Sequence, residues 1–166
     1  MRIIVFSDTH DNYRAVKEVF RRNEDAPVFI FLGDGERDIE RMRKAYPDKK
    51  ILTVAGNIDY TSSSPDHDVF TAGDVKIFFT HGHNWGVKYS VERVFYKAKE
   101  IGAQVALFAH THTRFYEYYD GVHILNPGSA ALPRDGKGPC YAFVDITPGG
   151  IMCSFVELGP NAPKNT

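Results

Sequence analysis

Seven side chains that can bind a metal ion lie in five short segments scattered along a chain of 166 residues. The segments read SDTH, LGDG, GNID, THGH and AHTH, and each follows an apolar run that is typical of a buried strand. The seven residues are Asp8, His10, Asp34, Asn57, His81, His110 and His112. Carboxylate, amide and imidazole groups in this number are what a hydrolytic centre with two metal ions requires.

Each segment taken alone has a simpler interpretation. A single Asp after a strand is more often a turn residue or a helix N-cap, and Asn57 beside Gly56 also resembles a turn. His110 after an apolar run could be a hydrogen-bonded histidine near the core. We favour a shared site because these simpler interpretations would all have to hold at five separate strand ends.

The first part of the chain predicts alternating strands and helices. Apolar runs predict strands at residues 3–6, 28–32 and 51–54, and apolar residues at helical spacing predict helices around 15–20 and 39–42. This alternation is typical of parallel βαβ units. In such sheets ligands bind beyond the carboxyl ends of the strands, where the five segments would meet.

After about Thr61 the pattern changes to hairpins. Predicted hairpins turn at Gly73-Asp74, Asp120-Gly121 and Pro148-Gly149-Gly150, and a helix over about 90–100 precedes a buried strand at 105–108. The sequence therefore predicts an α/β fold, a single-domain α/β/β/α sandwich of two packed mixed sheets flanked by helices. We place the domain at residues 1–159 and a polar tail at 160–166.

The pairs Asp8/His10 and His110/His112 share a spacing of two residues. On an extended chain two such side chains point to the same face, so each pair could bind one metal or contact two. We therefore expect extended backbone at both pairs.

Composition narrows the function classes. The formal net charge is -1, with 43% hydrophobic and 25% charged residues, so no basic field favours duplex nucleic acid. No apolar run is long enough to cross a bilayer, and the first segment, MRIIVFS, is typical of a strand, so we expect no secretory leader. Cys140 and Cys153 could face each other across the last hairpin, but two buried free thiols are the better interpretation. We expect a cytoplasmic protein without a membrane partner.

The ordered set Asp-x-His, Gly-Asp, Gly-Asn, His-Gly and His-x-His resembles the calcineurin-like metallophosphoesterase superfamily. SDTHDN, AGNID, THGH and the NPGS stretch at 126–129 are similar to its small bacterial and archaeal phosphodiesterase branch. The resemblance runs from Met1 to about Leu158. It implies a metal-dependent phosphodiesterase that hydrolyses small diesters, nucleotide-like ones included, by attack of a metal-bound hydroxide.

The resemblance also implies the site. Two divalent metal ions would be bridged by Asp34, with Asp8, His10 and His112 completing one position and Asn57, His81 and His110 completing the other. We assign catalytic roles to Asp34, Asn57 and His81 among these metal ligands, and no other cofactor is expected. The ligand types suit manganese, our favoured ion, or nickel, iron or zinc.

Two positions depart from the family pattern. Ala109 stands where a glycine usually precedes His-x-His, and a methyl group is acceptable there if the backbone is extended. Ile58 stands where larger members carry a histidine that is thought to protonate the leaving group. Loss of a general acid costs about 10² to 10⁴ in rate for a poor leaving group, so we predict a preference for diesters or activated leaving groups.

Three further residues are candidates for substrate contacts or for support of the metal ligands. Asn12 could contact a phosphate or cap the following helix, Asp59 has lost its histidine partner, and His83 could replace the missing acid. Trp85 and Tyr89 could stack on a base or aryl group, although packing of their loop against the next helix is the better interpretation.

Two other functions compete with the enzyme. A eukaryotic retromer subunit of similar size shares this fold and acts as a protein-interaction scaffold, but all seven ligand positions here hold competent side chains. A nuclease would need more length or a basic face. The expected partner is a small phosphodiester, a homodimer is left open, and the residues do not name the natural substrate.

Overall fold

The computed structural model describes residues 1–159, and the predicted polar tail at 160–166 lies outside the described part. Its strands are β1 (Arg2–Phe6), β2 (Val28–Phe31), β3 (Lys50–Thr53), β4 (His67–Ala72), β5 (Val75–Thr80), β6 (Val105–Leu107), β7 (Arg114–Tyr119), β8 (Val122–Pro127), β9 (Cys140–Thr147) and β10 (Gly150–Glu157). Its helices are α1 (Tyr13–Arg22), α2 (Arg37–Ala45) and α3 (Glu92–Ile101), and a 3₁₀ turn covers His83–Trp85.

The strands form two mixed sheets of five. The first sheet has the order β10-β9-β1-β2-β3, in which β1, β2 and β3 are parallel and β9 and β10 are antiparallel additions. The second has the order β4-β5-β6-β8-β7, with β5, β6 and β8 parallel. Both sheets therefore have a parallel centre, whose carboxyl ends can carry a shared site.

Successive side chains along the central strands point alternately to the two faces of each sheet, and this produces the layers of the sandwich. Ile3 and Val5 of β1 pack between the two sheets, whereas Ile4 and Phe6 pack outward under α1 and α2. The outer face of the second sheet packs against α3 through Phe78 and other apolar residues. Because the central strands are covered on both faces, they are continuous apolar runs rather than alternating ones. The predicted α/β/β/α sandwich is confirmed.

The predicted elements are found with small shifts in their bounds. All three hairpins form at the expected turns, and α3 begins at Glu92 rather than near Ser90. Cys140 and Cys153 are free and do not face each other, because they pair with Glu157 and Val144 across the last hairpin. No helix within residues 1–159 is long and apolar enough to span a membrane.

Candidate metal centre

The five ligand segments follow five of the six parallel strands, whose carboxyl ends point to one edge of the sandwich. Asp8 follows β1, Asp34 follows β2, Asn57 follows β3, His81 follows β5 and His110 follows β6. The parallel strands of both sheets thus deliver polar side chains to the same edge. The predicted convergence is present, although the segments are as far apart as 102 residues along the chain.

The first group of ligand atoms comes from Asp8, His10, Asp34 and His112, whose donor atoms all lie within 4.8 Å of one another. The His112 Nε2 atom is 3.2 Å from Asp8 Oδ1 and 3.2 Å from His10 Nε2. Asp34 Oδ2 lies 4.0 Å from His10 Nε2. Except for half-buried His10, these residues are buried, so their charges are poorly screened by water.

The second group shares Asp34 with the first. Asp34, His81 and His110 have donor atoms within 4.8 Å of one another. His81 Nε2 lies 3.5 Å from Asp34 Oδ2, 3.2 Å from Asn57 Oδ1 and 3.2 Å from His110 Nδ1. All seven predicted ligand residues are therefore brought together, in two groups with Asp34 common to both.

Backbone carbonyls orient two of the imidazole rings. His81 Nδ1 donates to the Leu32 carbonyl at 2.6 Å, and His112 Nδ1 donates to the Leu132 carbonyl at 2.7 Å. A proton on Nδ1 leaves the Nε2 lone pair free to face the site. This arrangement is the usual one for a histidine that binds a metal ion, because the hydrogen bond fixes both tautomer and ring orientation.

The unpaired acceptors of the first group fit a cation. Both carboxylate oxygens of Asp8 are buried and have no aligned hydrogen-bond donor among residues 1–159, although His112 Nε2 lies 3.2 Å from Oδ1. Burying a carboxylate without compensation is costly unless it is paired or coordinates a metal. A divalent cation held by Asp8, His10, Asp34 and His112 would compensate the buried Asp8 carboxylate.

The lowered pKa values of His10 and His110 agree with metal binding. Burial lowers the pKa of His110 to about 4, and the charges of His81 and Lys88 add to this effect. Burial, followed by His112, also lowers the pKa of His10. For His112, burial is outweighed by the Asp8 carboxylate, which raises the pKa. The lowered pKa values keep His10 and His110 neutral near pH 7, the form that binds metal.

The expectation of extended backbone at the two spaced pairs is wrong. Asp8, His10, His110 and His112 all have positive φ, between 47° and 70°, and so does Asp34 at 61°. Left-handed backbone is uncommon outside glycine, although Asp, Asn and His are the residues that adopt it most readily. The ligand loops curl back on themselves instead of continuing the strands, and such conformations concentrate at functional sites.

Ala109 does not share this left-handed conformation. It is fully buried and lacks a positive φ, and its amide donates to the His81 carbonyl at 2.9 Å. The methyl group is accommodated at this position, as expected from the sequence. The hydrogen bond joins the loops that carry His81 and His110.

Asp59 connects the loops that follow β2 and β3. Its carboxylate accepts four backbone N–H groups, from Asp34 at 2.7 Å, Gly35 at 2.9 Å, Glu36 at 3.0 Å and Gly56 at 2.8 Å. Burial alone would raise its pKa, but these four donors lower it overall. Asp59 therefore holds Asp34 and the loop of Asn57 in place. From the sequence, Asp59 is only a candidate for substrate contact or for support of the ligands. Spacing along the chain does not reveal that four backbone N–H groups converge on its carboxylate.

The two loops approach each other closely at Gly33 and Gly56. Gly33 has φ +97°, and a Cβ atom there would lie 2.5 Å from the Gly56 nitrogen. A Cβ atom at Gly56 would overlap the carboxylate and the amide of Asp34. The absence of a side chain at Gly56 is thus what allows Asp34 to occupy its central position.

Two buried side chains of the NPGS stretch support the ligand loops, a role that we did not predict for them. Asn126 donates to the Ala109 carbonyl at 3.1 Å and to Thr111 Oγ1 at 2.9 Å. Ser129 Oγ donates to the Asp8 carbonyl at 2.7 Å and accepts from the Leu132 amide. The sequence signal that could have revealed this role is the pair of polar residues, Asn126 and Ser129, that follows the apolar residues of β8.

The remaining candidates have distinct positions. Asn12 is the N-cap of α1, where its side chain accepts from the Ala15 amide at 3.2 Å. The ring of His83 lies 5.4 Å from that of His81, and its Nδ1 has no hydrogen-bond partner among residues 1–159. Burial, followed by His81, lowers the pKa of His83. Ile58 is half-buried, and its amide donates to Asp34 Oδ1 at 3.0 Å.

The chain belongs to the calcineurin-like phosphoesterase superfamily, whose domain matches residues 1–149. It is 31% identical over 161 residues to the probable metallophosphoesterase YsnB of Bacillus subtilis, covering 97% of this chain and 94% of the relative. Members of this superfamily are phosphoester hydrolases that bind divalent metals. The predicted family is therefore confirmed.

Two further relatives bear on the function. The crystal structure of a conserved protein from Streptococcus pneumoniae, described as a predicted phosphoesterase, superposes with a TM-score of 0.84 at 29% identity, covering 96% of this chain and 93% of that one. Vacuolar protein sorting-associated protein 29 of Schizosaccharomyces pombe is 33% identical over 172 residues, covering 94% of this chain and 90% of the relative. The fold thus occurs in proteins named for different roles.

Proposed function

We propose that this protein is a dinuclear-metal phosphodiesterase that hydrolyses small phosphodiesters. The observation that supports it most strongly is the division of the seven ligands into two groups that share Asp34. When bound there, two divalent ions would acidify a shared water and neutralise the charge of a phosphate that contacts both. Manganese is the favoured ion, with nickel, iron and zinc as alternatives.

The residues of the chain hold this arrangement before a substrate arrives. Carbonyl oxygens fix the rings of His81 and His112, and Asp59 fixes the loop of Asp34. Preorganised groups of this kind lower a reaction barrier because they need not rearrange as charge develops. No side chain is required as the nucleophile, and Asp34, Asn57 and His81 act by holding the metal ions.

The preference for diesters rests on Ile58. Its side chain cannot donate a proton to a departing oxygen, and it directly follows the ligand Asn57. An alkyl phosphomonoester has a poor leaving group, so its hydrolysis depends strongly on a general acid. Hydrolysis of a diester with an activated leaving group depends much less on a general acid.

The test compares Asp34→Asn with the wild-type protein and with Asp25→Asn, an exposed acid far from the site in the fold. Metal content is measured by mass spectrometry, and activity is measured on bis(p-nitrophenyl) phosphate and on an alkyl phosphomonoester. We expect about two metal equivalents in wild type and loss of activity by about 100-fold or more in Asp34→Asn, with Asp25→Asn unchanged. The diester should react about 10² to 10⁴ times faster than the monoester.

Two results would contradict the proposal. Metal-free protein whose activity is unchanged by Asp34→Asn would rule out the metal centre, and faster cleavage of the alkyl monoester would rule out the diester preference. The scaffold function is the weaker alternative, since it rests on the relative from Schizosaccharomyces pombe while every ligand position here is competent. Wild-type protein that binds no metal and cleaves no ester would favour the scaffold.

A further inference from the structure

A groove of about 500 Å³ lies on the outer face of the second sheet, next to the metal centre. We call it the α3 groove, because the loop at 87–91 that leads into α3 forms one wall. Its lining includes Val87, Lys88, Tyr89, Phe108, Thr111 and Phe115. Thr111 stands between the ligands His110 and His112, so the groove begins beside the metal centre.

The α3 groove offers aromatic surface to a ligand. Tyr89 is 94% exposed, although its amide is held by the Gly86 carbonyl at 2.9 Å. Phe115 is half-buried and lies against Phe108, with 5.8 Å between the ring centroids. A ring on a fixed backbone with its faces free loses little conformational freedom when a second ring covers it.

Trp85, four residues earlier in the same loop, is only half-buried and packs within the chain, unlike Tyr89. Trp85 packs on Phe78 with 5.2 Å between ring centroids, and its indole nitrogen donates to Asp66 at 2.8 Å. The packing interpretation of the sequence therefore holds for Trp85. Tyr89 makes no ring contact within the described part of the chain and is the residue left for an external partner.

A positive charge in the lining of the α3 groove suits a phosphate. Lys88 is exposed and forms neither an ion pair nor a hydrogen bond within residues 1–159, and its positive charge acts on His110. A second groove, of about 380 Å³, borders the centre at Ile58 and Asp59 on the side of the first sheet. That groove is lined by four carboxylates (Asp11, Glu36, Glu40 and Asp59) and one cation (Arg37), whereas the α3 groove has Lys88 and Arg114 against the single carboxylate of Glu117. The negative balance of the second groove disfavours an anion.

We propose that the α3 groove binds a planar aromatic arm of the phosphodiester, with the ring stacked on Tyr89 and Lys88 facing the phosphate. A nucleobase and a simple aryl ring share this chemistry. The inference rests on the proposed function and adds the class of substrate to it. Stacking on an aromatic side chain tolerates many rings, because every ring presents a π face.

The experiment uses metal-loaded Tyr89→Ala and Tyr89→Phe with thymidine 5′-(p-nitrophenyl phosphate) and bis(p-nitrophenyl) phosphate. Tyr60→Ala is the matched control, because Tyr60 is 88% exposed but lines the opposite, acidic groove. We expect Tyr89→Ala to raise KM about five- to tenfold with kcat within about twofold. Tyr89→Phe and Tyr60→Ala should behave like wild type.

Calorimetry supplies a readout that does not depend on turnover. Tyr89→Ala should weaken binding of thymidine 5′-monophosphate about five- to tenfold and leave binding of inorganic phosphate unchanged, because phosphate has no ring. Lys88→Gln should weaken the binding of thymidine 5′-monophosphate and also that of inorganic phosphate. A change confined to the nucleoside compounds assigns the groove to a nucleobase, and a change confined to the bis-aryl diester assigns it to an aryl arm.

The outcomes separate the two proposals. If wild type cleaves diesters but Tyr89→Ala changes neither KM nor binding by more than about twofold, the α3 groove inference is wrong and the proposed function stands. An equal effect in Tyr60→Ala or Tyr89→Phe would also overturn it. If wild-type protein cleaves no diester with manganese, nickel, iron or zinc, both the proposed function and the α3 groove inference are wrong.

Discussion

At the scale of single residues, the site is held by groups that do not bind metal themselves. Asp59 accepts four backbone N–H groups from the two loops that carry Asp34 and Asn57. Asn126 and Ser129 tie the loops of His110 and Asp8 to the NPGS stretch. These bonds offset the cost of left-handed backbone at the ligands, about 1 to 2 kcal/mol for each residue. Each is therefore a positioning residue.

Asp59→Asn tests this role directly. An amide group would present N–H donors where four backbone donors already converge, so we expect a loss of about 2 kcal/mol in the free energy of unfolding. Metal affinity should fall about 10- to 100-fold, as it does when supporting hydrogen bonds are removed. The measurements are urea unfolding and metal titration, with the exposed Asp48→Asn as control. Metal affinity equal to that of wild type would contradict the assignment.

At the scale of elements, the loops after β2 and β3 determine where the shared ligand lies. These loops touch at Gly33 and Gly56, where no side chain fits between them. The parallel pairing of β2 with β3 aligns the strands in register, so the two loops leave the sheet side by side. Close approach of the loops is thus a consequence of strand pairing combined with glycine at the contact.

Gly56→Ala is expected to displace the Asp34 carboxylate, which an added methyl group would overlap. We predict loss of bound metal and a fall in activity of about 100-fold or more, whereas the overall fold is retained. Gly138→Ala is the control, because a Cβ atom there meets nothing closer than the Glu157 carboxylate at 3.9 Å. Metal analysis measures the loss of bound metal, and circular dichroism measures whether the fold is retained. Full metal occupancy in Gly56→Ala would show that the loops can move apart.

At the scale of the whole molecule, the apolar core has three clusters, one between the two sheets and one between each sheet and the helices outside it. Both cysteines are free thiols, and Cys153 is half-buried rather than buried as the sequence suggested. Cys140 is fully buried, and its sulfur donates to the Pro127 carbonyl at 3.0 Å. Burial raises the pKa of Cys140 to about 11 and that of Cys153 to about 12.

Native protein should therefore react slowly with Ellman's reagent at pH 8. A raised pKa keeps a thiol protonated at this pH, and the thiolate is the reactive form, so we expect reaction about 100-fold or more slower than in denaturant. After unfolding in guanidinium chloride, both cysteines should react at once and release two equivalents of the reagent's coloured thiolate per protein chain. If a thiol of native protein reacted as fast as an unfolded one, the packing around it would have to be open.

The sequence alone predicted the fold class and the residues of the site. Apolar runs buried on both faces, glycine turns and helical spacing are local signals, and they indicated the three hairpins and the helices. The order of the ligand segments indicated the family. Ligand type is a property of each side chain, so Asp8, Asp34 and His81 could be named without knowing where they lie.

Only the tertiary structure decided how those ligands are arranged. The left-handed backbone at His10 and His112, the four donors on Asp59 and the exposure of Tyr89 all depend on contacts between segments that are distant in sequence. Spacing along the chain suggested extended backbone at the ligand pairs, and long-range hydrogen bonds between loops overrode it. The division into two groups around Asp34 exists because strands from two different sheets end at the same edge.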